Sequence, residues 1–122
     1  MGRGRVVDHI KKMAVSYQLD NILFFDEIDP VEIPGLLSQC QVGLIALDPR
    51  HRNDNIPGKF LAYMHAGLPV LANINADNDL EILIKEYQVG EVVSSNSLSD
   101  LIVQANKVLT LYGKSEIVSE RC

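Results

Sequence analysis

The 122-residue sequence has only two cysteines and no block of basic residues, and each shortage removes a class of function. Cys40 and Cys122 stand far apart, so neither a disulfide framework nor a paired-cysteine zinc site is readable, and a reducing, cytoplasmic setting fits such sparse cysteine usage. Lys and Arg total 11 against 16 Asp and Glu, for a formal net charge of −5. With no cationic run, electrostatic capture of nucleic acid has nothing to work with, and no nucleic-acid partner is expected. The longest apolar runs, such as residues 42–47, fall well short of the ~20 residues of a membrane-spanning helix. No secretory apolar stretch marks the amino terminus. The three histidines, His9, His51 and His65, lack a partner at helical spacing and a carboxylate or thiol at ligand spacing, so no metal and no cofactor is expected. No serine occupies a nucleophile elbow, which leaves a hydrolase triad without support.

What is present is an apolar content of 47%, enough for one compact domain, arranged in alternating periods. Val6, Ile10, Met13, Ala14 and Tyr17 recur at helical spacing up to the polar turn at Asp20 and Asn21. Residues 22–25 form a short continuous apolar run, the pattern of a strand buried on both faces. Asp29 and Pro30 predict a capped helix start, with the helix running to about Gln39 and Pro34 delaying or kinking it. A strand over 42–47 is followed by a turn-rich loop, Asp48 to Asn55, then a helix over 59–66 that Gly67 caps and Pro69 stops. A strand over 68–72, a helix over 79–87, a strand over 90–94 and a helix over 97–112 complete the series. This alternation predicts an α/β fold, a Rossmann-like parallel sheet with helices on both faces. The domain is read over residues 1–112, with 113–122 as a frayed tail, and Cys40 as a buried structural thiol.

The stretch from Asn55 to Val70, NIPGKFLAYMHAGLPV, resembles the donor-site helix and following strand of family 4 glycosyltransferases. Pro57, Lys59, Tyr63, Met64, Ala66, Gly67, Pro69 and Val70 take the places of the family's Pro-x-Lys opening, its Glu-Tyr-Met-type helix and its small-Gly-x-Pro-Val close. Gly2-x-Gly4, the run before Asp26, Leu47-Asp48-Pro49 and Val89-Gly90 keep the family's order, so the resemblance spans about Gly2 to Leu111. With Leu71-Ala72 and Asn78-Asp79-Leu80 added, the chain looks most like bacterial amino-deoxysugar (fucosamine-like) transferases of surface-polysaccharide synthesis, such as O-antigen or capsule.

That resemblance implies a truncated carboxyl-terminal domain of the two-domain GT-B fold, with a nucleotide sugar such as a UDP-sugar as substrate. It implies a nucleotide-sugar site at Gly2, Gly4, Asp26, Ile28, Asp54, Asn55, Ile56, Pro57, Gly58, Lys59 and Ala62. In the family a glycine pair lets the backbone approach the diphosphate, and the backbone around Asp26 to Ile28 corresponds to the cradle for the base, although Asp26 stands where a Gly is usual. Family members carry a pair of Glu residues spaced as Asp54 and Ala62 are here. Asp54 retains a carboxylate for donor-sugar contact, whereas Ala62 cannot accept the ribose hydroxyls. The plain readings of the same residues are a helix start at Pro57-Gly58, a turn former at Asp54 and a flexible start at Gly2-x-Gly4. No catalytic residue is assigned.

The resemblance further implies that a strand and helix bearing an Arg and a Lys for the diphosphate precede Met1, and that the acceptor-binding domain lies outside this chain. Retaining, metal-independent transfer is then expected of the whole enzyme and not of these 122 residues alone. In the family's sheet order the strand before Met1 lies between those at 22–25 and 42–47, so exposed sheet edges would invite a homodimer. A membrane enters only through a lipid-linked acceptor, with the enzyme peripheral on the inner face. The competing expectation is a non-catalytic remnant or assembly fragment that binds no nucleotide. A sugar-nucleotide epimerase lacks an acid-base pair here, and a receiver-like domain lacks its acidic cluster.

Overall fold

A computed structural model describes residues 4–48, 50 and 56–111, all but the side chain of Leu111. The chain divides into two compact units, Met1–Ile33 and Pro34–Cys122.

The first unit contains helix α1 (Val7–Ser16), which closes with Gln18 in the left-handed conformation at φ 54°. The Leu19 amide donates to Ala14 O at 2.9 Å and the Gln18 amide to Val15 O at 3.0 Å, so the last orphan carbonyls of the helix find donors. Lys11 Nζ lies 5.8 Å from the centroid of the Phe24 ring, within cation–π range. A short 3₁₀ turn (Pro30–Glu32) follows, in which Asp29 Oδ1 accepts from the Val31 amide at 3.0 Å, as expected of Asp before Pro.

Residues 22–25 correct the sequence expectation. They form no strand, and Ile22, Leu23, Phe24 and Phe25 are all exposed. The reason is that a strand exists only by pairing its amides and carbonyls, and these residues join no ladder among the described residues. Continuous apolar character supplies the appetite for burial without supplying the partner.

The short helix α2 (Ile33–Leu37), all but its first residue in the second unit, holds Pro34 in its first turn, where a missing amide costs nothing; it ends before the expected Gln39. Strands β1 (Gly43–Ala46), β2 (Val70–Asn73) and β3 (Gly90–Val93) then form a three-stranded parallel sheet in the order β1-β2-β3. The register pairs Gly43 with Val70 and Val70 with Gly90. Helix α3 (Gly58–His65) joins β1 to β2, α4 (Asp79–Tyr87) joins β2 to β3, and α5 (Leu98–Leu111) follows β3. The α/β, Rossmann-like arrangement read from the alternation is the arrangement observed, with helix α3 packed on β1, α4 on β3, and α5 on β3 and β2.

Burial of one stripe per helix explains this assembly. Leu80 and Ile84, one helical turn apart on α4, are fully buried against Ile45, Phe60, Val70, Ala72, Ile74 and Val89. Asn78, itself buried, accepts from the Leu80 amide at 2.9 Å and caps α4. Gly90 permits the closest approach in the sheet, since a Cβ there would fall 2.0 Å from Val70 O. Cys40 is a second correction: it is exposed in the turn between α2 and β1, where its thiol reaches back to Leu36 O at 3.5 Å.

Candidate functional site

In a parallel sheet every strand points its carboxyl end the same way, and each following helix begins near that edge. The amino termini of α3, α4 and α5 therefore gather where β1, β2 and β3 end. Two of these termini are served by side chains: Asn78 Oδ1 accepts from Leu80 N at the start of α4, and Ser97 Oγ from Asp100 N, at 3.4 Å, at the start of α5. Helix α3 starts differently. Pro57 has no side chain able to cap, and its extended backbone (φ −61°, ψ 137°) turns directly into Gly58.

The first turn of α3 is closed by the Phe60 amide donating to Pro57 O at 2.9 Å, which leaves the Gly58 and Lys59 amides outside the helical ladder. Gly58 is exposed, and a Cβ there would meet nothing within 4 Å. Its bare backbone is thus open to an approaching group, with the positive end of the helix dipole behind it. Lys59 is exposed and adds a cation. Ile56 is exposed, Pro57 and Ala62 are half-buried, and Ala62 presents a methyl group where a carboxylate would accept hydroxyls. Phe60 alone of this turn is buried, fixing the helix to the core.

The structure brings Ile56, Pro57, Gly58, Lys59 and Ala62 together on α3 and its lead-in. Gly4 and Asp26, both exposed, and Ile28, half-buried, belong to the first unit. Gly2, Asp54 and Asn55, like His51 and residues 112–122, lie outside the described residues.

Sequence reasoning passed over a charged pair at the end of β1. Arg50 donates through Nε to Asp48 Oδ1 at 3.0 Å and through Nη2 to Asp48 Oδ2 at 2.6 Å, while its backbone amide also meets Oδ1 at 2.9 Å. Asp48, first through these hydrogen bonds and then through its charge, raises the Arg50 guanidinium above its ordinary pKa. The signal was a pair of opposite charges two residues apart, Asp48 and Arg50. Among the described residues no group of three or more His, Cys, Asp or Glu is placed to hold a metal ion. Among them, too, no helix is long and apolar enough to cross a membrane.

Part of a probable glycosyltransferase resembles this chain. The curated protein named "Probable glycosyltransferase WbjE" of Pseudomonas aeruginosa is 28% identical over 90 residues, covering 74% of this chain and 22% of that protein. The chain thus spans about a fifth of the length of the curated relative it matches. No family model matches the chain, and no solved structure does. The likeness supports sugar transfer as the chemistry to test against the geometry of α3, and it leaves donor and acceptor to be argued from residues.

Proposed function

We propose that this chain is the nucleotide-sugar-binding part of a longer glycosyltransferase of family 4, with the GT-B architecture. The observation that carries the proposal is the amide-bearing start of α3, free of a side-chain cap at the carboxyl edge of a parallel sheet, in a chain that resembles a probable glycosyltransferase. In this reading the Gly58 and Lys59 amides and the Lys59 ammonium face the donor diphosphate. As the bond from the anomeric carbon to the diphosphate breaks, negative charge grows on the leaving oxygen, and fixed dipoles aimed there lower the barrier without reorganising. In the same reading Asp54 contacts the donor sugar, and Asn55 and Ile56 complete this part of the nucleotide site. Transfer is retaining and needs no metal, since cations and amides do the charge neutralisation.

Ala62 sharpens the proposal. With no carboxylate at that position the ribose is held by backbone or by a neighbouring side chain, and the donor binds more weakly than it would to a pair of acids. Acceptor recognition and closure over the reactants belong to the rest of the enzyme, acting in the cytoplasm on a surface-polysaccharide or lipid-linked acceptor with an amino-deoxysugar donor. A second reading, an assembly fragment that pairs through its sheet edges and binds no nucleotide, is favoured by the methyl group of Ala62 alone.

Isothermal titration of the 122-residue chain with UDP, repeated with Lys59→Ala, tests the proposal. The expected result is saturable binding that Lys59→Ala weakens roughly ten- to hundredfold, the worth of a charged hydrogen bond. Absence of heat at millimolar UDP would leave the assembly-fragment reading in its place, and equal affinity of both proteins would remove Lys59 from the diphosphate contact.

A further inference from the structure

Tyr63 joins α3 to the sheet at two points and takes part in the closure of the helix at a third. Its ring lies on Gly43, where a Cβ would stand 2.4 Å from Cδ2 and 2.5 Å from Cγ of the ring. Its hydroxyl donates to Leu44 O at 3.2 Å. Its own backbone carbonyl accepts from the Leu68 amide at 2.9 Å, while the Met64 carbonyl accepts from Gly67 at 3.0 Å, a paired closure that Gly67 makes in the left-handed region at φ 65°.

The direction of the Leu44 carbonyl gives the hydroxyl contact its meaning. Gly43 N donates to Pro69 O at 2.9 Å and Leu47 N to Asn73 O at 3.0 Å, so alternate residues of β1 turn their polar groups toward β2. Leu44, lying between them in register, turns its carbonyl to the outer edge of the described sheet. Tyr63 is therefore the donor that meets an edge carbonyl the ladder leaves aside. Burial first, and the nearby Cys40 second, push the Tyr63 phenol above its ordinary pKa.

Helix α3 has only 8 residues, so whatever fixes its end also fixes its beginning. Gly58 lies five residues before Tyr63, about 7.5 Å along the axis at ~1.5 Å per residue. Lys59 lies one turn before Tyr63 on the same face of the helix. Any roll or tilt at Tyr63 is carried to the Gly58 and Lys59 amides, which have no side-chain cap of their own to hold them.

We infer that Tyr63 is a positioning residue: seated on Gly43 and bonded to the edge carbonyl of Leu44, it sets the pose in which the start of α3 meets a nucleoside diphosphate. This rests on the donor-site reading above. It adds a side chain that touches no substrate and a glycine on another element to the determinants of affinity, and neither belongs to the residues assigned to the site.

The test measures UDP affinity by NMR titration of the full chain, wild type beside Tyr63→Phe and Gly43→Ala, at a temperature where each spectrum is that of the folded protein. Tyr63→Phe keeps the ring on Gly43 and removes only the hydroxyl. It is expected to shift the Gly58 and Lys59 amides before any ligand is added, and to weaken UDP binding by about three- to tenfold, the scale of one neutral hydrogen bond. Gly43→Ala, which forces the ring outward, is expected to weaken binding further, and Tyr63→Phe decides alone should that variant fail to fold. A side chain that matters only for stability would leave the affinity of the folded protein unchanged. Equal affinity of wild type and Tyr63→Phe overturns the positioning role while the donor site stands. Absence of UDP binding by the wild type overturns the donor site, and the positioning role with it.

Discussion

The two units of the chain treat similar apolar residues in opposite ways. In the first, Ala14 is the buried residue among those described, while Ile22, Leu23, Phe24, Phe25 and the α1 residues Ile10 and Met13 are exposed. In the second, Ile45, Val70, Leu80, Ile84, Val89 and Val108 are each exposed by 2% or less. Hydrophobic content does not separate them. What separates them is pairing: β1, β2 and β3 exchange backbone bonds with one another, and their helices lay one apolar stripe on the sheet. Hydrophobic burial in an α/β unit follows the ladder, because only a paired backbone enters an apolar interior without leaving amides unsatisfied.

Truncation measures that contrast directly. Ile84→Ala is expected to cost about 2–5 kcal/mol, the range for a buried aliphatic residue at a site that cannot collapse. Leu23→Ala, at a residue exposed by 76%, should stay within about 0.5 kcal/mol. Urea unfolding of both variants checks this, and equal losses would contradict the contrast.

Gly90→Ala strikes the pairing itself. The added methyl meets backbone rather than a flexible side-chain tip, so β2 and β3 must separate, and a loss of about 1–3 kcal/mol or more is expected from such overpacking. Hydrogen exchange should show the Val70 and Ile74 amides, which bond Val89 O and Val93 O, opening before the rest of the sheet. Retained protection there would contradict the role given to this close approach.

Much of the second unit was legible because its signals are local. Asn78 caps α4 through its own side chain, and the expected helix over 79–87 has the observed bounds. The Gly67 stop and the strands near 70 and 90 follow from turn chemistry and short apolar runs in the same way. Residues 22–25 misled because a strand's partner is a tertiary fact that no local pattern contains. The site divides along the same line: the lead-in Pro57-Gly58-Lys59 is visible as a motif, whereas the seat of Tyr63 on Gly43 joins residues twenty apart and needed the packed helix to be seen. The Asp48–Arg50 pair lay between these cases, local in sequence but dependent on how the turn at the end of β1 is made.

Smaller changes sharpen the account of how the second unit is closed. Asn78→Ala should cost about 0.5–2 kcal/mol by removing the cap of α4, with thermal unfolding as the readout, and Asn78→Asp or Asn78→Ser should recover most of it. The least effect is expected from titrating Tyr63. Its folded pKa is raised, so the protonated form is favoured by folding; this contribution is complete below the unfolded value near 10 and is lost as pH climbs through the folded value. Wild type should therefore lose stability above pH 10 more steeply than Tyr63→Phe, and parallel curves would remove the buried phenol from the account.

The most direct test of the central claim, that the start of α3 is a nucleotide-sugar site, is an amide-resolved NMR titration of the chain with UDP. The account predicts saturable shifts at Gly58 and Lys59, with the β2 and β3 amides unmoved. A folded spectrum in which these two amides ignore millimolar UDP would contradict it.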